Sequence, residues 1–359
     1  MNDHPKVSVI IATSDSAGHI EECMNSVLSQ SLKEIEVIVI DVCSRDATKR
    51  ILEDYAAADS RVTFMADSFK SIGHAKNIAM DHAVSPYIIF VEPWDILYED
   101  MLAEQSRRLD ENPENDLCSY ETDSLGSDSF GRSHRDKHRR MISANIRDKR
   151  KQETDSRLIR SFMFDNITMY RASFLRDSDI RHYELPGYGS QDTAFKFLSM
   201  SKGKIFVSAE IKCLKYLDKD KHCITDAGAA PDICNEFKYL KEILVTDRTL
   251  FQNMRLVFWQ AYYDRNMLLY EKLSGKLRSR LSKQMQADIN RAIRNKEYNR
   301  EHFDISVRDE MELLLMSVDE FDRFQADKIK IREEAMASDP ITRYAQDYPC
   351  VLIPTPEAL

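Results

Sequence analysis

The chain has 359 residues, of which 43% are hydrophobic and 31% charged, and a formal net charge of -9. Such a length suits two domains, or one large domain with an appendage, around a sizeable core under a well-solvated surface. The acidic balance argues against a general grip on nucleic acid, and no apolar run approaches the roughly 20 residues that span a bilayer.

The N-terminal MNDHPKVSVII lacks the basic segment, apolar core and cleavage site of a secretory signal, so a cytoplasmic protein is expected. Its β-branched run at 7–11 predicts a first strand. Residues 20–32 follow with Ile20, Cys23, Met24, Val27, Leu28 and Ser31 on one helical face. IEVIVI at 35–40 predicts a second strand ending at Asp41, 47–57 returns to helical spacing, 61–65 is a third strand, 72–83 a third helix and 87–91 a fourth strand. Continuous apolar strands separated by helices predict an α/β fold whose parallel sheet is covered on both faces. In such sheets ligands collect beyond the carboxyl ends of the strands, so the loops at 13–15, 41–44 and 92–95 are expected to share one crevice.

Residues 121–160 are poor in apolar side chains and, between Arg132 and Lys151, strongly basic, which predicts a long mobile loop. It is either a solvated loop or a contact for a phosphorylated ligand or for anionic lipid headgroups. A mixed region at 162–175 precedes a helix at 190–200 and a strand at 204–207; helical patterns dominate from about residue 232, and a proline-bearing tail begins at 339. FWQAYY at 258–263 is expected either to pack in the core or to form a homodimer surface. Seven scattered cysteines with no C-x-x-C pair argue against zinc or a disulfide framework.

KVSVIIATSDSAGHIEECMNSVLSQSLKEIEVIVIDVCSRDAT resembles the opening of the bacterial family 2 glycosyltransferases, which typically show VSVIIPTYN, SVLxQ and IVVDDGSTD. SIGHAKNIAMDHAVSPYIIFVEPWDILYEDML is similar to their GxxxARNxGLxxAxGxYIxFLDSDDWL, and ITMYRASFLRDSDIRHYELPGYGSQDTAFKFL to their LYRRSFLxxNxIRF segment with its E-D-T motif. The resemblance covers about residues 6–217. It implies a Rossmann-like GT-A domain over 1–218, with a helical extension and tail over 219–359. It also implies transfer of a sugar, with inversion, from a nucleotide-sugar donor to a glycan or lipid-linked acceptor in cell-surface polysaccharide assembly, at the inner face of the membrane.

Carried over residue by residue, the resemblance implies a donor site of Thr13, Asp15, Asp41, Lys76, Glu92, Trp94 and Asp95. Ser14 stands where a base-stacking Tyr is usual and Val42 where a uracil-pairing Asp is usual. Asp41 is either a ligand or an acid closing a βα turn. EPWD at 92–95 falls on the D-S-D-D motif, so Trp94 replaces the acid that binds a divalent metal; an indole has no lone pair for a hard cation. Either Glu92 and Asp95 hold Mn or Mg in a shifted geometry, or basic groups such as Lys76 balance the leaving diphosphate. Trp94 would then stack on a base or sugar, or simply plug the crevice. Asp192 is implied as the catalytic base, with Ser190 as helix cap; Arg171 and His222 are implied near the acceptor or phosphates. A catalytically silent GT-A protein that binds a glycan, nucleotide or partner transferase is the alternative.

Overall fold

The computed structural model describes residues 4–66, 71–125, 166–184, 192–216, 229–273, 275–298, 303 and 305–337. The elements β1 (Val7–Thr13), α1 (Ile20–Leu28), β2 (Ile35–Asp41), α2 (Thr48–Ala58), β3 (Val62–Ala66), α3 (Ile72–His82) and β4 (Tyr87–Phe90) follow in the predicted order. β1 pairs in parallel with both β2 and β4, and β2 with β3. Alternation of side chains explains why these strands are apolar at nearly every position. Ile10, Ala12, Ile38, Ile40 and Ile88 enter one buried cluster, while Val7, Val9, Ile11, Val37, Val39 and Ile89 enter the other.

Helix α1 stops four residues before its predicted end. The buried Gln30 amide donates to Ser26 O and Tyr98 O and accepts from Leu102 N, and Ser31 N donates to Glu99 O, so the chain turns to hold the segment after β4. That segment contains β5 (Asp95–Leu97) and α4 (Met101–Glu111), then β6 (Leu117–Leu125), β7 (Asn166–Arg171), α5 (Ala172–Asp177), α6 (Thr193–Lys202) and β8 (Ile205–Tyr216). Among the described residues the strands form one sheet in the order β3-β2-β1-β4-β7-β6-β8-β5. It is mixed rather than wholly parallel, because β7 runs antiparallel to β4 and β6, and β5 antiparallel to β8. β6 takes the first five residues of the loop expected at 121–160, and the basic stretch beyond it lies outside the described residues.

The helices α7 (Ala229–Leu244), α8 (Arg248–Lys272), α9 (Gly275–Arg294), α10 (Ile305–Met316) and α11 (Val318–Ala337) follow. Phe237, Phe258, Leu281 and Met285 belong to the same buried cluster as Ile10 of β1 and Phe195 of α6, so apolar packing runs without a break from the sheet into the helices. Phe258, Trp259, Tyr262 and Tyr263 are at most 4% exposed. That aromatic stretch is core, which corrects the alternative of a dimer surface. Among the described residues no helix is long and apolar enough to cross a membrane. The expected boundary at 218/219 and the tail from 339 lie outside the described residues.

Candidate active site beyond the carboxyl end of β4

Helix α3 starts at Ser71, whose hydroxyl accepts the His74 N–H at 3.1 Å, and turns Gly73, Ala75, Lys76, Asn77 and Ala79 inward. A lysine on a buried face is tolerable only if its ammonium is paired. Lys76 Nζ lies 2.7 Å from Glu92 Oε1 and 3.0 and 3.1 Å from the two carboxylate oxygens of Asp192, over the Phe90 ring. The Lys76 side chain is 2% exposed, whereas Glu92 and Asp192 keep 22% and 23%. One nitrogen therefore joins the acid after β4 to the acid at the start of α6, and both acids still face solvent.

Burial disfavours the Lys76 charge, but the Asp192 and Glu92 carboxylates outweigh it and raise its pKa. Burial likewise opposes ionisation of Asp192, and is outweighed by the Lys76 ammonium, with a smaller pull from Lys196, so that its carboxyl is held well below the usual range. Asp192 occupies the N-cap position of α6, just ahead of its first turn rather than within the first turn of a helix at 190–200, and its side chain does not cap the helix. Ser190 lies outside the described residues.

Two side chains of this site had no obvious sequence signal. His182 is 3% exposed, stacks on Phe195 with ring centroids 4.0 Å apart, and places Nδ1 3.1 Å from Asp192 Oδ1 without hydrogen-bond alignment. Burial lowers its pKa, so it is a neutral wall. Asn77 fixes it, donating to His182 O and accepting from His182 N, both at 2.9 Å. Glu236 of α7, 1% exposed, accepts the Ala194 N–H at 2.8 Å and so satisfies the start of α6 from behind. Burial pushes its pKa up to about 7, against the opposing pull of the Ala194 N–H and the Arg265 guanidinium. Only its place in the folded chain distinguishes it from the other helical glutamates.

The ends of β1 and β2 form a second polar cluster. Thr13 and Asp41 are register partners, 1% and 3% exposed. Asp15 takes the left-handed region, φ 49°; its N–H donates to Ser44 Oγ at 2.8 Å and its Oδ1 accepts Arg45 N–H at 2.6 Å. Ser44 donates to Asp41 through both its hydroxyl and its N–H, so Asp41 closes the βα turn. Val42 packs in the core.

At the motif after β4, Cys23 Sγ donates to Glu92 O at 3.4 Å. Asp95 is 4% exposed and its Oδ2 accepts Glu92 N–H at 3.0 Å, so this acid closes its own turn instead of facing the donor. Trp94 is half-buried. These residues do not fit a divalent ion. Glu92 already has an ammonium at 2.7 Å, Asp95 is buried with one carboxylate oxygen held by backbone, the indole offers no lone pair, and no metal-binding group of three or more His, Cys, Asp or Glu exists among the described residues. Arg171 is paired in register with Tyr87 at the opposite end of β4 and donates to Asn115 O, Leu109 O and Asn112 O. That corrects its expected place near the acceptor or phosphates. His222 lies outside the described residues.

Residues 8–177 match the sequence model of Glycosyl transferase family 2. The chain is similar to that family over this stretch. It is 26% identical over 184 residues to the uncharacterized glycosyltransferase EpsJ of Bacillus subtilis, a match covering 50% of this chain and 54% of EpsJ. It is 31% identical over 110 residues to the poly(ribitol-phosphate) beta-N-acetylglucosaminyltransferase TarS of Staphylococcus aureus, covering 30% of this chain and 19% of TarS. The chain thus spans about half, or less, of the length of these relatives. The crystal structure of TarS 1-349 in complex with UDP-GlcNAc superposes with a TM-score of 0.65 at 18% identity, over 88% of this chain and 89% of that one, which establishes the GT-A fold.

Proposed function

We propose that this chain is an inverting glycosyltransferase that moves a sugar from a nucleotide-sugar donor to a hydroxyl of a glycan or lipid-linked acceptor. Its place would be cell-surface polysaccharide assembly at the inner face of the membrane, with residues 1–218 catalytic and 219–359 supporting them. The observation that carries this reading is the junction at Lys76, which brings a donor-side acid, Glu92, and an acceptor-side acid, Asp192, onto one nitrogen. The UDP-GlcNAc bound by TarS supports a nucleotide-sugar donor.

In this mechanism Asp192 takes the proton from the acceptor hydroxyl as its oxygen attacks the anomeric carbon; the bond from that carbon to the diphosphate breaks and the nucleoside diphosphate leaves. A carboxylate held far below its usual pKa is a weak base. A donor diphosphate beside Lys76 would draw on the same ammonium, lessen its hold on Asp192 and raise the proton affinity of the base. Donor binding and base activation are then one event. Thr13 and Asp15 border the nucleotide side, and Trp94 offers a ring face for the base or sugar.

The test is calorimetry and nucleotide-release assays with a panel of nucleotide sugars. Turnover with one donor that falls by roughly 10²- to 10⁴-fold in Asp192→Asn supports the assignment. Donor binding without turnover against any acceptor would favour the silent, binding-only alternative, and undiminished turnover in Asp192→Asn would remove Asp192 as base.

A further inference from the structure

The C-terminal helices enclose a cavity of about 330 Å³ between α7, α8 and α9, within the size range of small-molecule sites. Its floor is aromatic: Phe237 and Phe258 meet edge to face at 5.5 Å, and Trp259 meets Phe258 at 5.1 Å and Tyr262 at 5.4 Å. Its mouth is basic, with Lys238 and Lys241 from α7 and Arg280 and Arg291 from α9 against the single acid Asp288. That excess arises in a chain whose overall charge is -9, so it does not follow from composition.

The one acid is already engaged. Asp288 Oδ2 accepts from Tyr262 OH at 2.9 Å and from Gln284 Nε2 at 3.0 Å, while Arg291 stands 3.7 Å from Oδ1. Lys241 pairs with Glu297 and sits 5.7 Å from the centre of the Trp259 ring. Lys238 and Arg280 are exposed and have no acid partner among the described residues. The Trp259 indole N–H, in the wall of the cavity, also has no acceptor among the described residues.

We propose that this cavity is a binding site for a small phosphorylated carbohydrate, separate from the transfer site. The phosphate pairs with Lys238 and Arg280 at the mouth, and the apolar face of the sugar lies toward the aromatic floor. The site does not depend on the proposed transfer activity, because its lining residues take no part in the transfer chemistry and its three helices reach the transfer site through Glu236, which braces the start of α6 from behind.

Intrinsic fluorescence of the full chain in a Trp94→Phe background reports Trp259 alone, since Trp94 and Trp259 are its two tryptophans. Titration with glucose 1-phosphate is expected to change that signal saturably, because a phosphate near Lys241 alters the cation beside the indole. Glucose should bind at least about tenfold more weakly, and the Lys238→Glu/Arg280→Glu double variant should lose about tenfold or more in affinity with unchanged thermal stability. No saturable response at millimolar ligand, or an undiminished one in the double variant, would overturn the proposal. Inorganic phosphate binding as tightly as glucose 1-phosphate would overturn the role of the aromatic floor. Glucose 1-phosphate bound in the donor crevice is distinguished by its indifference to the charge reversal.

Discussion

Replacing Lys76 with methionine keeps the stem and deletes the ammonium that joins Glu92 to Asp192. The two carboxylates are left facing each other with less than a quarter of their side-chain surface in water, and removing one partner of a buried ion pair typically costs about 3–5 kcal/mol. Against a usual domain stability of about 5–15 kcal/mol, the variant folds but with a much smaller margin. The pH dependence gives the sharper check. In the parent, Lys76 with its raised pKa and Asp192 with its lowered one are both charged across the neutral range. Their contribution is therefore complete there, falling only as pH drops through the depressed pKa of Asp192 or climbs through the raised pKa of Lys76. In Lys76→Met, burial is no longer opposed by that ammonium and pushes the Asp192 carboxyl upward, so protonation relieves the strain. Urea unfolding monitored by circular dichroism from about pH 8 down to about pH 5 is expected to show a deficit that is largest at the alkaline end and shrinks toward the acid end. A deficit under about 1 kcal/mol, or one of equal size at both ends, would refute the junction as drawn.

Other outcomes follow from neighbouring contacts. Glu236 has a folded pKa of about 7 against an ordinary 4.5, so it favours the folded state below 4.5 and that contribution is lost as pH rises through about 7, by about 3 kcal/mol at most. Glu236→Gln keeps an acceptor for Ala194 N–H and should flatten this part of the stability profile; an unchanged slope would show that another group titrates. Arg171→Ala should lower stability by about 2–3 kcal/mol, measured by thermal melting, and leave the affinity for any donor unchanged, because its guanidinium caps the end of α4. Chelation with EDTA should leave both melting temperature and donor binding as they were, since the acids after β4 are bound to an ammonium and to backbone; a chelator-dependent loss of donor binding would contradict that fit.

The alternation of strands and helices in the first hundred residues, and the carboxylates at their ends, were legible in one dimension. A strand buried on both faces must be apolar at every position, and a crossover helix must repeat its apolar face every three to four residues; both constraints act locally. Thr13, Asp41, Glu92 and Asp192 could be singled out because each stands at an element's end and in a motif. The short β5 and the longer β6 escaped notice, because three residues show no period and LCSYETDSL breaks any alternation with four consecutive polar residues, Glu121, Thr122, Asp123 and Ser124.

What the order of residues could not express was which charge meets which. Lys76 and Asp192 are 116 positions apart, and their contact depends on how α6 is laid against α3. The same holds for Glu236, which reaches α6 from a helix beyond the sheet, and for Arg171, whose motif position suggested the site while the antiparallel register of β7 carried it to the far end of β4. Local patterning determined the elements and the chemical kinds of residue available to the site. Tertiary packing alone decided their pairing, because ionic and hydrogen-bonding partners are selected by distance in space, and a buried charge takes whichever opposite group the fold brings within about 3 Å.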